Sequence, residues 1–148
     1  MKTFFSTNTL GLIVGSALLS LTQAVQAHEC TLSDAAGRYG YTNSGTIVTP
    51  PVGPFTAVGH ATLTESGTFT GAQTTSIAGN LFEETIQGTY AVNRDCTGSA
   101  TVYVYHGATL ARTSLINLVW DNHENELRAI LLTPGTNVNL EARKMADD

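Results

Sequence analysis

Ser99-Ala100-Thr101-Val102-Tyr103-Val104-Tyr105-His106 is the stretch that decides the fold. Its β-branched and aromatic residues suit a pleated strand. They alternate, with Val102 and Val104 facing one way and Thr101, Tyr103 and Tyr105 the other. A period of two is the mark of a half-buried strand. Outward from this stretch the same beat repeats, broken by Gly, Asn, Asp and Pro roughly every ten residues, as in a sandwich or barrel.

Gly37-Arg38-Tyr39-Gly40-Tyr41 places two tyrosines on one face, and Phe55 to Thr64 places Phe55, Ala57, Ala61 and Leu63 on one face. Glu65-Ser66-Gly67 reads as a hairpin turn into Thr68 to Thr75. After Ala78-Gly79-Asn80, Phe82, Glu84 and Ile86 alternate with Glu83, Thr85 and Gln87, and Gly88 bends the chain before Tyr90 and Val92. Gly107-Ala108 leads into Leu110 to Trp120, the polar turn Asp121-Asn122-His123-Glu124-Asn125 into Glu126 to Thr133, and Pro134-Gly135 into Val138 to Arg143. Leu32 to Ala36 can form one turn of helix with Ser33 as its cap. The expectation is an all-β domain: an antiparallel up-and-down or meandering barrel of eight or nine strands, with a sandwich as the alternative. Closure into a barrel removes exposed strand edges.

The N-terminus reads as a signal peptide. Lys2 precedes an apolar run from Leu10 to Leu21, and Gln23-Ala24-Val25-Gln26-Ala27 supplies small residues at a cleavage site. The run is shorter than the roughly 18 to 20 residues that span a bilayer. The expected organisation is therefore residues 1–27 as leader and 28–148 as a single β-barrel domain, secreted or periplasmic, with no membrane span after cleavage. Cys30 and Cys96 are the two cysteines of the chain. In an oxidising compartment they read as one disulfide clamping the N-terminal segment to the domain.

The formal net charge is −5, and the arginines Arg38, Arg94, Arg112, Arg128 and Arg143 are scattered. Nucleic acid is excluded as a partner, because phosphate binding needs a basic stripe. There is no Gly-X-Ser-X-Gly elbow for a nucleophilic serine, and no glycine-rich phosphate loop before a helix, so no cofactor is expected.

Cys30, Gly37-Arg38-Tyr39, Gly67-Thr68-Phe69-Thr70-Gly71, Gly88 to Gly98 and Thr133-Pro134-Gly135-Thr136 together resemble a family of small exported bacterial β-domain proteins without an established activity. The resemblance implies a secreted β-domain with a Cys30–Cys96 link and transfers no functional residue. Two calycin-like barrel families are also similar in single stretches. Lipocalins open with Gly-X-Trp where this chain has Gly37-Arg38-Tyr39, and avidin-like proteins share the Gly-X-Phe-Thr-Gly of residues 67–71. Avidin-like pockets rely on several tryptophans, whereas Trp120 is the only one here.

Aromatic rings recur across the expected strands. Tyr39, Tyr41, Phe69, Tyr90, Tyr103, Tyr105 and Trp120 are the candidates to line an interior that binds a small apolar or aromatic ligand. Core filling is the bland alternative for the same rings. Glu84 is expected to face inward and to need a partner, with Arg112 and Arg128 as available cations. A barrel enzyme of the cyclase or isomerase type, steering its substrate with Glu84 or Arg112, is the second reading. A surface or adhesive module with an exposed apolar or Thr-rich face is the third. If cleavage leaves His28 as residue one, its amine and imidazole could chelate copper with His60, His106 or His123. The 121–125 turn matches no calcium-loop spacing and reads as a solvated hairpin tip.

Overall fold

The computed structural model describes residues 29–121 and 123–146. The expected leader, residues 1–27, and His28 lie outside these residues, and so does the copper reading that depends on His28. A four-residue helix, α1 (Leu32–Ala35), precedes eight strands: β1 (Gly37–Ile47), β2 (Gly53–Leu63), β3 (Thr68–Ile77), β4 (Asn80–Val92), β5 (Thr97–His106), β6 (Thr109–Asp121), β7 (Glu126–Leu131) and β8 (Thr136–Lys144). Each strand pairs antiparallel with the next, and β8 returns to β1, closing a meander barrel. Gly88 lies within β4, which continues through it to Val92.

The alternation read from the sequence becomes an inside and an outside. Tyr39, Tyr41, Phe55, Phe69, Ile86, Tyr90, Val104, Ile116, Leu118 and Trp120 are buried in the core. The wall outside is rich in threonine, which solvent-facing strands favour. Where glycines face the interior they make room for rings: a Cβ on Gly98 would meet Trp120 Cζ3 at 2.6 Å and Ala91 O at 2.2 Å.

One end of the barrel is sealed. Cys30 is bonded to Cys96, α1 lies across the opening, and Ala35 is completely buried. Tyr39 Oη lies 2.9 Å from Ala35 O and 2.8 Å from Glu124 O, so its single proton tethers the helix and the β6–β7 turn to the floor. The helix is capped by Thr31, not by Ser33: Asp34 falls at the third helical position and exchanges hydrogen bonds with Thr31, forming a capping box. The β6–β7 turn also departs from expectation. His123 and Glu124 both take positive φ, 54° and 60°, and this turns Glu124 inward, where it is buried with Oε1 2.6 Å from Cys30 Sγ.

The opposite end is the mouth, bounded by the β1–β2, β3–β4, β5–β6 and β7–β8 connections. Here β7 is short. It pairs with β6 only from Ile116 to Asp121, so the part of β6 nearest the mouth is laddered to β5 alone. No helix among the described residues is long and apolar enough to cross a membrane.

Candidate functional site

Period-two spacing carries one row of polar side chains into the barrel just below the mouth. Asn43 follows Tyr41 by two residues on β1, Gln73 and Thr75 share the inner face of β3 with Phe69, and Ser114 follows Arg112 on β6. Asn43, Gln73, Thr75, Glu84 and Ser114 are all buried. At their centre is the Glu84 carboxylate, whose side chain is fully shielded from solvent.

Five contacts converge on that carboxylate. Oε1 accepts from Arg112 Nη1 at 2.5 Å and lies 2.8 Å from His106 Nε2. Oε2 accepts from Arg112 Nη2 at 2.7 Å, Thr75 Oγ1 at 2.7 Å and Gln73 Nε2 at 2.6 Å. Burial raises the affinity of the carboxyl for its proton, but hydrogen bonds from Arg112, Gln73 and Thr75, with the Arg112 charge behind them, outweigh it and bring the pKa down to about 2. Glu84 is therefore an anion at neutral pH. Tyr41 donates to Gln73 Oε1 at 2.8 Å. Its hydroxyl is held well above the usual tyrosine range by burial and by the Glu84 charge, partly offset by Arg112. It stays neutral and supports the network as a donor.

Rings frame the charges. The Arg112 guanidinium lies 5.9 Å from the centroid of Phe55, and His106 stacks on Phe82 at 5.0 Å with the ring planes 6° apart. Beneath this layer is a cavity of about 110 Å³, lined from Tyr39 and Tyr90 at the floor to Phe55 and Arg112 near the mouth. Most of its wall is aliphatic or aromatic; Asn43, Gln73, Arg112 and Ser114 are its polar points.

Of the seven candidate rings, Tyr39, Tyr41, Phe69 and Tyr90 line this cavity. Trp120 is buried beside Tyr90, with ring centroids 6.2 Å apart. Tyr103 and Tyr105 do not belong there. Tyr103 is opposite Gln87 and Tyr105 opposite Thr85 on the outer face, Tyr103 is 37 % exposed, and Tyr105 accepts a hydrogen bond from Gln87 Nε2 at 3.0 Å. The valines between them turn inward because their partners Gly88 and Ile86 do. Of the two candidate cations, Arg112 is the partner of Glu84; Arg128 is outside and pairs with Asp121. Glu83 points outward and accepts from Thr74 Oγ1.

Sequence reasoning missed Asn43, Gln73, Thr75 and Ser114, and saw His106 only as a copper ligand. Extending the inward beat from Tyr41, Phe69 and Arg112 by two, four or six residues finds all four. Among the described residues, Cys30, Cys96 and Glu124 are the one group whose ligand atoms gather within 4.8 Å. Both sulfurs are bonded to each other, so no thiolate is left for a metal.

No family model, no curated protein and no solved structure matches this chain. The class defined by fold and site is an eight-stranded antiparallel meander barrel with one disulfide.

Proposed function

We propose that residues 28–148 form an exported binding barrel whose interior holds one small, mainly apolar molecule. The observation that carries the reading is the cavity of about 110 Å³ with a mainly apolar lining that reaches the Glu84–Arg112 pair. For scale, a cavity of about 150 Å³ lined by aliphatic and aromatic side chains binds benzene, so the volume suits a single ring. The disulfide is consistent with an oxidising, extracytoplasmic location.

Binding is favoured over catalysis by the state of Glu84. Its oxygens are already occupied by Arg112, His106, Gln73 and Thr75, which leaves little capacity to take a proton from a substrate. In this reading the carboxylate holds Arg112 across the mouth and shapes the ceiling of the pocket. The test is an NMR titration of uniformly labelled protein with benzene and toluene, together with Trp120 emission. Saturable shifts at Ile86, Val104 and Ile116 are expected. If neither compound moves these resonances near its solubility limit, the interior is simply a packed core.

A further inference from the structure

We propose that the ligand of this cavity is neutral and carries a hydroxyl or N–H group that donates a hydrogen bond to Asn43 Oδ1. The proposal rests on the binding reading above and assigns the chemistry of its pocket.

Asn43 is only 8 % exposed, lines the cavity, and its Oδ1 has no hydrogen-bond partner among the described residues. Its cross-strand neighbours, Ala57 on β2 and Leu140 on β8, are apolar and offer none. A buried carbonyl left unmatched is destabilising, because it gives up its hydrogen bonds to water and gains none in return. A leucine or valine in that place would avoid the cost, so an amide here calls for a partner that the described residues do not supply. Trp120 Nε1, which acts on the Tyr39 hydroxyl, is not part of the cavity lining.

Tyr41, Gln73 and Arg112, polar groups that share the lining with Asn43, are committed elsewhere. Tyr41 donates to Gln73, Gln73 donates to Thr75 and Glu84, and both Arg112 Nη atoms are directed at Glu84. The donors therefore run toward the carboxylate, and Asn43 Oδ1 is left as a buried acceptor without a partner among the described residues. Because Glu84 and Arg112 already neutralise each other, neither a carboxylate nor an ammonium ligand finds an open counter-charge, and burying an uncompensated ion is costly. Size, polarity and charge together describe a single-ring compound with one donor group, such as a phenol or an azole N–H.

Phenol and toluene have nearly the same shape and differ in that donor. Their dissociation constants are to be measured by NMR titration on the wild-type protein and on Asn43→Leu and Asn43→Ala, with benzoate and benzylammonium as charged controls. The expected result is that the ratio of the phenol constant to the toluene constant rises about tenfold in both variants, the worth of one buried hydrogen bond. Toluene still binds, and the charged controls bind at least tenfold more weakly than phenol. In the wild type, phenol should also shift the Asn43 side-chain amide resonances more than toluene does, a readout that needs no variant. An unchanged ratio with indifferent amide signals overturns the donor assignment while leaving the cavity reading standing, and benzoate or benzylammonium binding as tightly as phenol overturns its neutrality. Failure of toluene and phenol alike to bind the wild type removes the binding reading and this inference with it.

Discussion

Arg112 on β6 and Glu84 on β4 meet inside the barrel as a two-point ion pair, Nη1 to Oε1 at 2.5 Å and Nη2 to Oε2 at 2.7 Å, with β5 separating their strands. The two partners differ in exposure: the Glu84 side chain is sealed and that of Arg112 is 29 % accessible. A cation near the mouth can relax toward water when its partner is lost. A buried anion cannot.

This asymmetry sets the first prediction. Arg112→Met strands a buried carboxylate and should cost about 3 kcal/mol, at the low end for breaking a buried pair. Glu84→Gln should cost less, because the Arg112 side chain can swing outward. The double variant should lose less than the sum of the two. Urea denaturation of the four proteins measures the coupling, and strict additivity would show that the pair does not act as a unit.

Acid stability follows from the same carboxylate. The pKa of Glu84 is about 2 in the folded barrel against 4.5 for an ordinary glutamate. The unfolded chain therefore binds the proton first as pH falls. The contribution is fully present above about pH 4.5 and is lost progressively toward pH 2, amounting to roughly 3 kcal/mol over that window. Denaturation curves across the window should show Glu84→Gln with a visibly flatter pH dependence than the wild type; parallel slopes would mean that another group governs acid unfolding.

The legibility of this fold in its sequence divides along physical lines. Strand number, meander order and closure follow from period-two alternation and turn residues, because both are local. Which face of a strand is inside is not local. Between Val102/Val104 and Tyr103/Tyr105 both sets are apolar enough for a core, and the choice is made by Ile86 and Gly88 on the partner strand. Glu124 was hidden for another reason: in a run of five polar residues, two successive left-handed residues turn one carboxylate inward. The Glu84–Arg112 pair was legible because a charge in an otherwise apolar inward row needs a partner. Asn43 was not, because reading of its strand stopped at Tyr41.

Gly98 tests how tightly the floor is packed. It lies between Val92 on β4 and Leu118 on β6 in the ladder, directly against Ala91 O and the Trp120 ring. A methyl group there would meet backbone as well as ring, and neither can rotate away. Gly98→Ala should therefore destabilise by about 2–3 kcal/mol, typical of overpacking. Gly107→Ala, whose Cβ would meet nothing within 4 Å, is the control for added bulk; its φ of 59° predicts a smaller loss, of about 1 kcal/mol. Thermal melts of the two variants should separate clearly, with Gly98→Ala the lower.

The disulfide should matter locally as well as globally. Cys30 and Cys96 are 66 residues apart, and constraining a loop of that length in the unfolded chain is worth about 4 kcal/mol on the chain-entropy account. The folded contacts add a pattern to that total. Cys30 donates its backbone N–H to Arg94 O, Trp120 N donates to Cys96 O, and Glu124 packs on the Cys30 sulfur while its carbonyl accepts from Tyr39. Replacing both cysteines by alanine should accordingly loosen α1, the residues flanking Cys96 and the 123–125 turn together, while the Glu84–Arg112 layer, tied to β3, β4 and β6, keeps its protection. Native-state hydrogen exchange of the double variant resolves the two ends of the barrel. Uniform acceleration along all eight strands would show that the crosslink stabilises only through the unfolded chain and does not hold the floor in place.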